Sequence, residues 1–164
     1  MAMIHITIAD LDRIEAAAVT AYPDECCGLL IGHDLKGGGI EVVRVVESEN
    51  VEAGDPRSRF EIDPRLLIAV QRDLRGVGGD RIVGHYHSHP DHPARPSAHD
   101  AERAWEPEMV WLITAVIGGE AVETTAHVLE DGGGGFRQIG LQITGAVPGG
   151  SSSGSSSGSP AGNP

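Results

Sequence analysis

Residues 82–105 read IVGHYHSHPDHPARPSAHDAERAW. The apolar start, Ile82 to Tyr86, predicts a buried strand, and at strand spacing His85, His87 and His89 fall on one face if the chain stays extended that far. Two imidazoles can then share one ion. Ser97 and Asp100 follow at the spacing of a helix cap and an acid in the first helical turn, which makes a carboxylate available to the same place. Five of the eight histidines lie between His85 and His99, and imidazoles beside a carboxylate give the nitrogen and hard-oxygen donors that zinc takes. Two histidines and an aspartate leave one tetrahedral position open, which marks a catalytic rather than a structural zinc. Such a site also needs a carboxylate that moves protons without holding the metal. Glu25, at the entry to the apolar run Cys26 to Gly32 (CCGLLIG), is the candidate, although spacing alone does not assign it.

Working outward from this stretch, the chain opens with a short strand, Met3 to Ile8, followed by a helix from Ala9 to about Ala21. Ile8, Leu11, Ile14, Ala18 and Val19 recur at helical spacing, and Pro23 ends the helix. Cys26 to Gly32 predicts a buried strand, and the β-branched Ile40 to Glu47 predicts its antiparallel partner. A polar loop, Ser48 to Ser58, leads to a short expected strand at Arg59 to Ile62. A second helix is expected from Asp63 to Arg75, with Asp63 as cap and Pro64 at the first helical position. Beyond the central stretch, Met109 to Ile117 and Ala121 to Leu129 flank a Gly118-Gly119 turn, and Phe136 to Ile143 makes a last strand. Strands interleaved with helices, ending in a meander, imply an α/β fold: a single domain with a mixed β-sheet flanked by helices. We expect this domain to span 1–144, and 145–164, rich in Gly, Ser and Pro and uncharged, to be a disordered tail.

Composition narrows the function classes. At 164 residues with 4% aromatic content, the chain can build one aliphatic core. A net charge of −12 argues against a nucleic-acid partner, because neutralising phosphates takes clustered Lys and Arg. General surface acidity is the plainer account of that charge. No apolar run reaches the ~18 residues of a membrane span, and the N-terminus lacks the pattern of a secretory signal. The only cysteines, Cys26 and Cys27, are neighbours, too close to staple a fold, and read as reduced, half-buried thiols of a cytoplasmic protein.

His87-Ser88-His89-Pro90, then seven residues from Pro90 to Pro96, then Ser97-x-x-Asp100, with Glu25 upstream in YPDECCGLLIG, resembles the complete signature of the JAMM (MPN-plus) metallopeptidases. The resemblance covers Ile4 to about Ile143. It implies His87, His89 and Asp100 as zinc ligands, Glu25 as general acid/base, and Ser97 as a hydrogen-bond donor to the tetrahedral intermediate. It also implies a mixed sheet flanked by helices, similar to the cytidine deaminases. Members cleave peptide or isopeptide bonds after the C-terminal glycine of ubiquitin-like proteins. Small bacterial members resembling this chain act on ubiquitin-like sulfur-carrier proteins, in some cases releasing cysteine from the carrier's terminal glycine.

Each residue also has a simpler role. Ser97 and Asp100 alone would be a helix cap, and Glu25 alone a solvated turn residue. His85 shares the ligand face and could make a three-histidine site; the family leaves its position variable, which favours a supporting or substrate-contacting role. His92 and His99 are expected in solvent, and His5, His33 and His127 have no visible partners. A non-catalytic binding module of the same fold is the alternative function, but inactive relatives lack one or more ligands, and this chain has the full set of Glu25, His87, His89, Ser97 and Asp100. A nucleobase deaminase needs a His/Cys-x-Glu and a Pro-Cys-x-x-Cys, and neither is present. Oligomeric state is left open by the sequence.

Overall fold

The computed structural model describes residues 3–145 apart from 77 and 133. The expected tail therefore lies outside the described residues, except for Gly145. Among the described residues seven strands run in chain order as β1 (Met3–Thr7), β2 (Cys27–Asp34), β3 (Ile40–Ser48), β4 (Arg81–Pro90), β5 (Val110–Ile117), β6 (Glu120–Leu129) and β7 (Phe136–Thr144). Helix α1 (Ile8–Ala21) follows β1, α2 (Pro64–Leu74) precedes β4, and α3 (Ala98–Arg103) lies between β4 and β5. No helix among the described residues is long and apolar enough to cross a membrane.

The sheet is mixed, as expected: β1 pairs parallel with β3 and β7, β4 pairs parallel with β5, and the other pairings are antiparallel. Its two ends meet, so the order β1-β3-β2-β4-β5-β6-β7 closes into a barrel. Closure rests on β1 joining β7, a parallel pairing of the two terminal strands that no local pattern announces. The expected strand at Arg59 to Ile62 does not form. Only a single bridge, Asn50 to Ile62, is made there, because the loop is bound up by the Asn50 side chain, whose Oδ1 accepts from the Glu52 and Glu61 amides.

One face of the sheet carries the main core. Leu11, Ile14 and Ala18 of α1 pack on residues from all seven strands, among them Ile6, Leu30, Val42, Tyr86, Leu112, Val128 and Ile139. The helical periodicity of α1 thus does what it predicts. Its start is capped by Thr7, whose hydroxyl accepts from the Asp10 amide. Helix α2 lies on the opposite face, where Val70, Leu66 and Leu74 cover Leu29 and Ile31. Asp63 caps it and Pro64 occupies its first turn, as the sequence indicates.

A bulge decides which way β4 presents its histidines. Leu30 pairs with Gly84 but Ile31 pairs with Ile82, so Val83 is the extra residue. Simple alternation would put Val83 and His85 on one face; the bulge lets Val83 enter the main core while His85, His87 and His89 face the other way. Gly84 is required beside it, since a Cβ there would sit 2.2 Å from the Val110 carbonyl oxygen. Gly84→Ala is expected to force β4 and β5 apart and to cost on the order of 1–3 kcal/mol or more, measured as a drop in the urea midpoint.

Candidate metal centre and cleft

Strand pairing brings together residues distant in sequence. Cys27 lies opposite His87 in the antiparallel β2–β4 pair, so the residues just before β2 arrive beside the end of β4. Ser88, between the two histidines, locks this arrangement. Its Oγ accepts from the Cys26 amide at 2.8 Å, and its own amide donates to the Cys26 carbonyl at 3.2 Å. Glu25 is held from the other side, its amide donating to the Pro56 carbonyl at 2.8 Å and its carbonyl accepting from Asn50 Nδ2 at 3.1 Å. Neither the Ser88 clamp nor the Asn50 brace carries a sequence signal, because both depend on pairing register.

His87, His89 and Asp100, all buried, form the one group of potential metal donors found among the described residues, their ligating atoms within 4.8 Å of one another. His87 Nε2 lies 3.0 Å from His89 Nε2 and 3.3 Å from Asp100 Oδ1, and His89 Nε2 lies 3.2 Å from Asp100 Oδ2. Donors 2.0–2.1 Å from a tetrahedral centre are about 3.3–3.4 Å apart, so this is close to the spacing of one coordination polyhedron. Proton counting supports the same fit. His89 Nδ1 faces the Pro93 carbonyl at 2.9 Å, an acceptor only, so Nδ1 carries the hydrogen and a neutral His89 turns a bare lone pair inward. Asp100 Oδ2 accepts from the Ser97 amide, which leaves a single proton on His87 Nε2 to serve both that lone pair and Asp100 Oδ1. A divalent cation is a partner that all three donors can share.

Asp100 is oriented by its own helix. Its Oδ2 accepts from the Ser97 amide at 2.7 Å while its amide donates to Ser97 Oγ at 3.1 Å, a complete capping box at the start of α3. Burial alone would raise its carboxyl, but the His87 and His89 rings and the Ser97 amide outweigh burial and hold it below the usual carboxylate range. Burial pushes His87 the other way, downward, which favours the neutral, ligating form. Ser97 Oγ is thereby engaged as a cap acceptor, and its own hydrogen stays available to a third group.

Glu25 stands beside this group without joining it. It is 5% exposed, its Oε1 is 3.9 Å from His89 Nε2, and its Oε2 has no hydrogen-bond partner among the described residues. Burial, reinforced by Asp100 and Asp55, pushes its carboxyl up to about 9 in the metal-free protein. A buried carboxyl with raised proton affinity and one oxygen free of hydrogen bonds is suited to accepting a proton and passing it on.

His85 faces the same way and shares Phe60 and Trp111 with His87, but it lies outside the donor group. Its ring meets Trp111 edge-on at 4.2 Å between centroids and lies 6.0 Å from His87. Desolvation, with His87 second, pushes it down to about 3, so it is a neutral imidazole packed among aromatics. Phe60, expected in a strand, instead stacks on His87 at 4.3 Å.

Two further histidines have partners the sequence did not reveal. His127 Nε2 lies 2.8 Å from Thr125 Oγ1, which donates to the Ala94 carbonyl at 2.5 Å, so β6 anchors the loop that carries Pro93. His33 lies between Asp80 at 2.8 Å and Glu41 at 3.5 Å. Cys26 and Cys27 are free and buried rather than half-buried, and burial raises their thiols to about 11 and about 12. A cleft of about 380 Å³ opens over the site, lined by Glu25, His89, Ser97, Arg57 and Arg95 among others.

Comparison with known proteins finds relatives over most of the chain. Residues 8–128 match the family described as prokaryotic homologs of the JAB domain. A curated protein named desampylase, from Haloferax volcanii, is 34% identical over 133 residues, covering 81% of this chain and 88% of that protein. A solution structure of a Desulfitobacterium hafniense protein superposes with a TM-score of 0.74 at 30% identity, covering 89% of this chain and 96% of that one. A second, from Salinibacter ruber, gives a TM-score of 0.65 at 33% identity, covering 88% and 92%. With its signature residues gathered around one point and this family matched over most of its length, the chain belongs to the prokaryotic JAB-domain family, of the JAMM (MPN-plus) kind.

Proposed function

We propose that this protein is a zinc-dependent hydrolase that cleaves the peptide or isopeptide bond after the C-terminal glycine of a ubiquitin-like or sulfur-carrier protein. The observation that carries the reading is the convergence of His87, His89 and Asp100 on one point, with Glu25 Oε1 3.9 Å from His89 Nε2 and its Oε2 free of hydrogen bonds among the described residues. The Haloferax relative named desampylase supports it.

His87 Nε2, His89 Nε2 and the Asp100 carboxylate would hold zinc, which when bound supplies a Lewis acid that activates water. Glu25 takes one proton from the attacking water and delivers it to the nitrogen of the breaking bond. The glycine carbonyl gains the water oxygen, the C–N bond breaks, and the amine leaves with the proton from Glu25, while the second water proton passes to the amine or to solvent as the carrier's new carboxylate forms. Ser97, at the cleft wall, donates its remaining hydroxyl hydrogen to the oxygen that becomes negative at the carbonyl. Phe60 and Trp111, packed around His87, keep water from that side of the ligand ring.

The test is to incubate the zinc-loaded protein with ubiquitin-like carriers bearing either a C-terminal amino acid or a lysine-linked adduct, and to follow carrier mass. Loss of the adduct mass, ending at the terminal glycine, is the expected result. Intact carriers in every case, with zinc bound at one equivalent, would rule the reading out.

A further inference from the structure

The cleft over Glu25 is lined by two arginines, Arg57 and Arg95, and by one acid, Glu25. The chain carries 24 acidic residues against 12 Lys and Arg, and several arginines are engaged: Arg81 with Asp34, Arg103 with Glu52, Arg13 with Asp10. Arg57 and Arg95, both exposed, line the cleft itself. Among the described residues neither guanidinium has an ion pair or a hydrogen-bond partner. Asp55, the acid nearest Arg57 in sequence, uses its carboxylate within its own turn, accepting from the Arg57 amide at 3.0 Å and the Ser58 hydroxyl at 3.1 Å. Among the described residues the only acid lining the cleft is Glu25, which is buried. Two uncommitted guanidinium groups at one opening of a strongly acidic protein are suited to a carboxylate, which arginine grips with two parallel hydrogen bonds.

Glu25 fixes where that carboxylate comes from. Under the proposed function, on which this inference rests, Glu25 must reach the nitrogen of the breaking bond, so the leaving group sits in the cleft that Arg57 and Arg95 line. When the leaving group is a single amino acid joined through its α-nitrogen, its free carboxylate is only two bonds from that nitrogen. When it is a lysine side chain of another protein, no free carboxylate lies nearby. We propose that Arg57 and Arg95 form a subsite for the α-carboxylate of the released amino acid, and that this subsite makes the protein favour carriers extended by one C-terminal residue over isopeptide conjugates. The reaction is plain hydrolysis: the carrier glycine keeps the water oxygen, the released residue takes the proton that Glu25 transfers, and no electrons change hands.

Fluorescent peptides ending in Gly-Gly-Ala test this in three forms: with a free C-terminal carboxylate, as the carboxamide, and as the carboxamide with Asp placed before the glycines. A fourth joins the glycine to the ε-amine of a blocked lysine. With the zinc-loaded full chain, kcat/KM is expected to favour the free acid over the carboxamide and the lysine conjugate by on the order of 10- to 100-fold. The preference should reside in KM and shrink as salt is added. In Arg57→Gln/Arg95→Gln the acid-to-amide ratio should fall to about one. A ratio near one in the parent, or an undiminished ratio in the double variant, would overturn the subsite. An arginine-dependent gain on the Asp-containing carboxamide would assign the carboxylate to the carrier and overturn the proposal as well. If no peptide is cleaved, anisotropy titrations of the same peptides separate the two readings. Arginine-dependent preference for the acid would keep the subsite while the hydrolase reading fails, and equal binding of acid and amide would remove the subsite.

Discussion

Glu25→Gln is expected to lower turnover by at least two orders of magnitude while the protein still binds one equivalent of zinc. General acid/base groups contribute on the order of 10² to 10⁴ in rate. Gln keeps the size of Glu25 and leaves its backbone bonds to Pro56 and Asn50 untouched, but its amide cannot accept the water proton or return one to the leaving amine. The Glu25 carboxyl is also outside the donor group, which consists of His87, His89 and Asp100, so the metal should stay. Metal analysis and single-turnover rates on one preparation check both halves. Near-normal turnover would remove Glu25 from the chemistry, and loss of zinc would make it a ligand.

The second large effect concerns what holds the metal. Asp100→Ala leaves two imidazoles as the only protein donors and should strip zinc at concentrations that saturate the parent. His85→Ala should leave zinc in place and shift its affinity by no more than about 10- to 100-fold, the range of groups that act on a site through its ligands. The reason is geometric: His85 packs on Trp111 and its ring centre is 6.0 Å from that of His87. Asp100→Ala also removes half of the capping box, worth on the order of 1 kcal/mol, so Asp100→Asn is the companion variant. Metal titration read by competition with a chelating dye distinguishes the cases. If His85→Ala loses the metal and Asp100→Ala keeps it, the site is a three-histidine one.

Local chemistry was legible in the sequence and pairing was not. Asp63, Pro64 and the amphipathic stripe defined α2, and the Ser97-x-x-Asp100 spacing defined the start of α3, because caps and periodicity act within one turn. Alternation put His85, His87 and His89 on one face correctly. It could not show that the bulge at Val83 makes this compatible with a buried Val83, or that Trp111 occupies the space beside His85. Glu25 is the clearest case. Its position over His89 depends on Cys27 lying opposite His87 and on the Ser88 clamp, contacts spanning about sixty residues, so the residues alone left it a candidate and the family signature pointed to it. The strand expected at Arg59 to Ile62 fails for a related reason: the Asn50 side chain takes amides that a ladder would have used. The parallel pairing of β1 with β7 is the most distant contact in the fold, and the least visible from local patterns.

The capping box at Ser97 and Asp100 ties two equilibria together. Helix α3 has six residues, too few to persist without its cap and its packing, and the carboxylate that completes the cap is the one facing His87 and His89. Anything that binds that carboxylate in its capped orientation stabilises the folded helix by the same free energy with which the helix pre-orders the carboxylate. Metal loading should therefore slow amide hydrogen exchange through Ala98–Arg103, and variants that fray this short helix should release metal faster even when every donor atom is present.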